Sequence, residues 1–433
     1  MREIVMRRVN HSGVYGAAHR RERGVVAIIV ALTLAVLVAF AGLALDLGKL
    51  YVAKSELSNA ADACALAAAR DLTKAASLDA PEAAGMTVGA SNRVLLQSEN
   101  VSNINVTFSK QFAGTYQTKG KFMPADVPSI GYVRCTVSRT GIANWFMQVV
   151  NATLGTSAVA ATAVASTTQA QTTCALPASV CKPPAGSPYT VGQWLPSKIG
   201  SDTDQQLTGN FMWVKYYNPD GSLMTVSDIK NLLTSSGQCT LPTIGSKVGA
   251  TGNIQSMDGA WNTRFGIYQN PYNSPPDPSA AVPDFTGYSY VPTKAPDGTL
   301  IPGANVFPNF RDNERTTHAP YQGKTTTHLD VQGAKNGPQS SSYYANGADR
   351  RLAVVPVVDC SALQGGSQKA AIDSWACVLM LHPMEKNING YLNGTIYIEY
   401  RGDASDPATP CATQGIPGST SAGIGPMVPV LVQ

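Results

Sequence analysis

The sequence predicts an α+β protein. An N-terminal transmembrane helix continues as a long helix beyond the membrane, packs on a small mixed sheet, and leads into a β-rich, loop-rich, disulfide-stapled domain. Three observations carry this prediction. From Val25 to Leu45 there is no charge, and only Thr33 is neither apolar nor glycine. The stretches "NINVTFSK" (103–110) and "YVRCTVSR" (132–139) alternate apolar and polar residues, as half-buried strands do. Six of the eight cysteines fall between Cys174 and Cys411, in a half of the chain rich in glycine and proline.

The first 24 residues carry six arginines (Arg2, Arg7, Arg8, Arg20, Arg21, Arg23) against Glu3 and Glu22, which accounts for the whole net charge of +4. The remaining 26 basic and 26 acidic residues balance. A nucleic-acid binder carries its excess charge on a folded domain. Here it sits on a short tail beside an apolar run, so the expected partner is a lipid bilayer and not a nucleic acid. At about 1.5 Å per residue the apolar run spans roughly 31 Å, the thickness of a hydrocarbon core. Backbone groups in hydrocarbon must satisfy one another, which makes the run a helix. Val25, Ile29, Leu34, Phe40 and Leu45 mark this anchor. Arg20, Arg21 and Arg23 supply the topology signal, which keeps the N-terminus cytoplasmic and exports the rest. A cleaved signal peptide is the competing reading, and "AFAGLA" (39–44) offers small residues for it. Its apolar core is usually only about 7–15 residues long, so the length favours an uncleaved anchor.

Beyond Asp46 the apolar pattern persists. Leu47, Leu50, Leu57, Ala61, Cys64 and Ala68 recur at helical spacing, with Lys54 the one misfit on that face. No proline occurs between Val25 and Ala80, and the only glycines are Gly42 and Gly48. One helix over roughly residues 25–74 is predicted, with a kink at Gly48 as the alternative. Its many alanines keep it slim enough for close packing.

These residues resemble the N-terminal domain of TadG-like proteins of the Tad (Flp pilus) assembly systems. The shared features are the Arg23-Gly24 pair, the apolar span, the Gly42-to-Asp46 exit, Tyr51, and the Leu57-to-Ala69 stretch, in which Cys64 replaces a commoner alanine. The likeness covers about 50 residues. It implies a bacterial inner-membrane protein with a periplasmic bulk and other Tad/Flp pilus assembly proteins as partners, in tight adherence of cells to surfaces. Two features depart from the relatives. Pilins are cut after a glycine and carry Glu five residues later, whereas Ile29 stands at that distance from Gly24. The Asp-x-Ser-x-Ser metal motif of a von Willebrand A domain is begun at Asp220, Asp359 and Asp403 and completed at none.

The rest divides at "ASTTQAQTTCALPASVCKPPAGSP" (165–188), rich in Thr, Ala, Gln and Pro and free of acidic residues. The expected domains are thus a basic tail (1–24), the transmembrane helix (25–45), a TadG-like helix and small α/β unit (46–168), a linker (169–188) and a β-rich domain (189–433). In the α/β unit, "ANWFMQVV" (143–150) reads as a short apolar helix and "TSAVAATAVAS" (156–166) as a strand of small residues, with a helix as the alternative. The β-rich domain has strand-like runs at 211–217, 352–359, 375–382, 394–400 and 427–432, a helix at 226–236, and long loops over 270–350. An even set of cysteines in an oxidising compartment suggests disulfides. Cys64 and Cys135 are expected on facing surfaces, with two buried free thiols as the alternative reading. Among Cys174, Cys181, Cys239, Cys360, Cys377 and Cys411, the local pairs Cys174–Cys181 and Cys360–Cys377 are expected. Two-residue cysteine spacings with nearby histidines, which zinc would need, are lacking.

No nucleophile elbow, P-loop, zincin or dinucleotide motif occurs. His318 and His328 lie near Asp312, Glu314 and Asp330 and read as solvated loop residues in preference to a hydrolytic dyad. His382 reads as a strand-end residue. The tripeptide Arg401-Gly402-Asp403 follows a strand and reads as incidental. Tyr216, Tyr217, Tyr343, Tyr344 and Trp375 read as packing before they read as a binding surface. No cofactor, metal or small-molecule substrate is expected. The function expected is that of a membrane-anchored, non-enzymatic accessory component of pilus assembly. The alternatives are a minor pilin-like subunit within the fibre and a periplasmic hydrolase.

Overall fold

The computed structural model describes residues 23–72, 75–201, 203–274, 277, 279–333, 341–364, 368–417 and 423–432. Arg23–Leu72 form one helix of 50 residues, α1, which passes Gly48 without a break. Its two halves meet different surroundings. The large side chains from Val25 to Phe40 are 53–67 % exposed, and this stretch is long and apolar enough to cross a membrane. The second half is buried along Ala53, Leu57, Ala60, Ala61, Cys64, Ala65, Ala68 and Ala69. The face therefore follows the expected one from Leu57 onward. Leu47, expected on it, is 42 % exposed, because at that level the chain covers the Gly42 and Asp46 side of the helix.

Helix α2 (Asp79–Ala90) crosses α1 closely. The sequence "DAPEAAGMTVGA" has two glycines, which disfavour a helix in isolation. They are needed for the approach: a Cβ on Gly85 would lie 3.1 Å from the Ala68 methyl, and one on Gly89 3.2 Å from Cys64 Cβ. Strands β1 (Asn103–Ser109), β2 (Tyr132–Ala143) and β3 (Thr156–Thr172) lay a sheet against the same helix. Val106 pairs with Cys135 and Cys135 with Ala163. A single turn of helix, α3 (Met147–Val150), lies between β2 and β3. Val106, Phe108, Val133, Val137, Ala161 and Ala165 complete the core under α1. The pairings of this sheet are antiparallel, not mixed. Successive strands pair directly, with no crossover to return the chain in the same direction.

The C-terminal unit is built on a second sheet. Its strands are β4 (Ala178–Cys181), β5 (Trp194–Ile199), β6 (Leu207–Gly209), β7 (Phe211–Lys215), β8 (Lys247–Ala250), β9 (Leu352–Val358), β10 (Lys369–Met380) and β11 (Thr395–Asp403). The order is β8-β7-β4-β9-β10-β11-β5-β6, and β8 also pairs with β10, so five strands close a ring. Only β4 and β9 pair in parallel. The runs "LAVVPVV" and "WACVLM" are apolar at consecutive positions because both faces of this sheet are covered. Ala353, Val355, Ala376 and Val378 point into one core with Trp213 and Trp261. Leu352, Val354, Trp375 and Cys377 point into another with Tyr216 and Phe310. Helix α4 (Val226–Thr234), opened by a Thr225–Asp228 capping box, packs on α5 (Met257–Asn262). Residues 270–333 are largely irregular, as expected.

The chain then returns. Strands β12 (Ala412–Pro417) and β13 (Gly423–Leu431) both pair with β3 of the first sheet, Leu431 against Ala165 and Met427 against Gln169. The expected linker at 169–188 is thus partly structured: Gln169 to Thr172 end β3, and Ala178 to Cys181 form β4. Its polar residues alternate with buried Ala170 and Thr172, so a half-buried strand imitated a low-complexity linker.

Candidate functional site: the membrane-exit junction

Where the apolar half of α1 ends, a loop from the first sheet folds back onto it. Asp46 is 1 % exposed. Its Oδ1 accepts the Trp145 N–H at 2.9 Å, and its Oδ2 accepts those of Phe146 and Met147 at 2.8 Å each. Those are donors that the short helix α3 would leave unpaired. Burial disfavours the charge of Asp46, but these three donors and the Lys49 ammonium outweigh it and hold the carboxyl below its usual range. Lys49 donates to the Ala143 carbonyl at 3.0 Å and sits 4.5 Å over the Trp145 ring. One turn back along α1, a Cβ on Gly42 would fall 2.4 Å from the Phe146 ring. Only glycine lets this aromatic ring lie on the helix backbone.

The loop is stitched on its other side. Asn144, 2 % exposed, donates from Nδ2 to the Leu154 carbonyl at 2.7 Å and to Ser157 Oγ at 2.8 Å. Asn151 Oδ1 accepts the Thr153 N–H at 3.0 Å. The arrangement fixes the sheet to the helix at the level where the helix leaves its apolar span. Gly42 and Asp46 were legible as part of the exit motif, and their i, i+4 spacing put them on one face. Nothing local named the loop they bind, which lies some 100 residues away in sequence.

The anchor residues Val25, Ile29, Leu34, Phe40 and Leu45 are 57–67 % exposed along one helix. Arg23 opens α1, while Arg20 and Arg21 lie outside the described residues. Cys64 and Cys135 are bonded, tying α1 to β2. The other bonds are Cys174–Cys239, Cys181–Cys360 and Cys377–Cys411. Both local expectations, Cys174–Cys181 and Cys360–Cys377, are therefore corrected. Cys174 lies beside Ala175, which bridges to Gln238, whereas Cys181 ends β4, and Cys377 lies opposite Val354, six residues before Cys360. Four covalent ties thus join segments distant in sequence.

His318 Nδ1 lies 3.2 Å from the Phe285 carbonyl, and the His328 ring lies against Tyr391. The acids near them are engaged elsewhere: Asp312 with Arg311, Asp330 with Lys324, Glu314 with Asn309. Among the described residues no group of three or more His, Cys, Asp and Glu could hold a metal ion. Arg401 pairs with Glu399 at 2.9 Å and lies over Phe307, and Asp403 binds Ser405, so the Arg-Gly-Asp tripeptide is built into the end of β11. Tyr216, Tyr344 and Trp375 are buried, whereas Tyr343 is exposed. Sequence reasoning missed a buried polar lattice in the C-terminal unit. Asp284 accepts the backbone N–H groups of Arg350 and Arg351, and Arg264 donates to the carbonyls of Leu232 and Leu233 at the end of α4.

Residues 24–71 match the protein family described as "Tad: Putative Flp pilus-assembly TadE/G-like". The match coincides with α1, so what is similar to that family is this one helix, part apolar and exposed, part packed under a sheet. No curated protein and no solved structure matches the chain. The TadE/G-like segment connects it with Tad pilus assembly.

Proposed function

We propose that the chain is a single-pass inner-membrane component of a Tad/Flp-type pilus assembly system, with a cytoplasmic tail, a periplasmic bulk and no catalytic role of its own. One observation supports this most. The TadE/G-like match falls on a helix whose exposed half is as long as a hydrocarbon core and whose buried half carries a folded unit. The 27 residues from Asp46 to Leu72 extend about 40 Å beyond the span. Held by α2, the sheet and the Cys64–Cys135 bond, this stalk presents the disulfide-tied C-terminal unit at a fixed distance from the membrane. That unit supplies the surface for other pilus assembly proteins.

The test is fractionation of cells with N-terminal sequencing of the mature protein, together with protease access in spheroplasts. An unprocessed chain in the inner membrane, with the C-terminal unit cleaved from outside, is the expected result. A mature start at Val25 would mean a subunit of the fibre, and a start near Leu43 or Asp46 would remove the anchor.

A further inference from the structure

We propose that the loop of residues 145–154 is a second membrane-contact element, which inserts beside α1 into the bilayer leaflet on the exit side and lodges lipid acyl chains against the helix. This rests on the reading of α1 as an anchor. Phe146 lies on Gly42, inside the apolar run that ends at Leu45. If α1 spans the hydrocarbon to Leu45, Phe146 is within it.

Trp145 is 61 %, Val149 82 % and Leu154 41 % exposed, gathered on one loop beside the apolar half of α1. No charged residue occurs between Arg139 and Lys182, so the loop, the end of β2 that leads into it (140–143) and all of β3 carry no charge that resists entry, and Arg134 and Arg139 stand farther back on β2. Between the loop and α1 runs a groove of about 940 Å³ lined only by apolar residues, among them Leu34, Val38, Leu43, Phe146, Val149 and Leu154. In water such a groove would be costly. It continues the lipid-facing surface of α1 without a step, which makes acyl chains its occupant.

Irregular chain enters hydrocarbon only where its polar groups are satisfied. Here Asp46 takes three N–H groups, the Phe146 and Met147 carbonyls take those of Val149 and Asn151, and Asn151 takes those of Thr153 and Leu154. The polar side chains are also used: Gln148 donates to the Trp145 carbonyl, and Thr153 to Asn151. Trp145 and Lys49 stand together at the rim, the residue types that favour the headgroup level. Two contacts on one rigid unit would fix the tilt of the stalk, which a single helix leaves free.

All cysteines of the described chain are disulfide-bonded, so an added one can be labelled alone. Nitroxide labels are placed at Val149→Cys, Leu43→Cys and Ile244→Cys in the full chain, reconstituted in phosphatidylglycerol/phosphatidylethanolamine vesicles. Collision rates with oxygen and with chromium oxalate are then measured. Ile244 is an exposed residue of the C-terminal unit. The expected oxygen-to-chromium ratio at Val149 matches that at Leu43 and is roughly tenfold above that at Ile244, because the charged collider stays out of hydrocarbon. A Val149 label that behaves like Ile244 while Leu43 reads as lipid overturns the inserted loop and leaves the anchor. A Val149 label shielded from both colliders also overturns it, in favour of a protein partner in the groove. A Leu43 label that reads as water overturns the anchor itself.

Discussion

Replacing Asp46 by alanine removes the acceptor for three consecutive backbone N–H groups, those of Trp145, Phe146 and Met147. Hydrogen bonds to a charged group are each worth about tenfold or more in a local opening equilibrium. Three of them make roughly a thousandfold. The three bonds share one carboxylate, however, and contributions that share a partner fall short of their sum, here by about tenfold. The loop of the Asp46→Ala protein should therefore open about 100-fold more readily. The assay is hydrogen exchange on the full chain in detergent micelles, read at residues 145–147. Exchange there should quicken by about that factor, while the amides of β9 and β10 keep their wild-type rates. Asp46→Asn keeps one acceptor oxygen and the same shape, and should fall between the two. Unchanged exchange at 145–147 in Asp46→Ala would refute the idea that this carboxylate holds the loop. So would an increase spread evenly over both units.

Further expectations concern stability. The Cys64–Cys135 bond closes a loop of 71 residues, for which chain-entropy loss is worth about 4 kcal/mol. A Cys64→Ala/Cys135→Ala protein should lose about that much in urea unfolding of the stalk unit. Glu399, fully buried, accepts from Trp194, Val306, Phe307 and Arg401. Glu399→Leu leaves the Arg401 cation unpaired and should destabilise the C-terminal unit by about 3–5 kcal/mol, seen as a lower urea midpoint. His382 is held neutral by burial, its pKa lowered to about 4 from 6.5, with its Nε2 accepting the Tyr397 N–H. The folded state therefore binds fewer protons than the unfolded one between those values, and stability falls as pH drops from 6.5 toward 4, by up to about 3 kcal/mol. Asp349 acts oppositely, because burial raises its pKa to about 6. Thermal melts should show a flatter acid limb in His382→Gln and a steeper one in Asp349→Asn.

By itself the sequence determined the features written in local periodicity and composition. The uncharged span from Val25 to Leu45, the alanine face from Leu57 onward, the helix at Val226–Thr234 and most strands of both sheets are all of that kind. A helix or strand that buries one face must repeat its apolar residues at the period of that element, and the repeat survives without knowledge of the partner. The exit motif Gly42-to-Asp46 was visible too, but not what it holds.

Tertiary structure alone decided the rest, because it depends on which distant segments meet. The two local disulfide expectations failed because strand pairing sets how near two cysteines come: Cys377 lies opposite Val354, so its partner is Cys411 and not Cys360. The return of Gly423–Leu431 to the first sheet had no sequence signal, since an edge strand looks the same whichever edge it joins. Gly85 and Gly89 disfavour a helix in isolation, yet only such small residues let the helix Asp79–Ala90 pack on α1. Asp46 reads as a charge at the end of a membrane span. It is a buried acceptor because the loop at Trp145–Met147 has three N–H groups to offer it, and only the folded chain brings them within 3 Å.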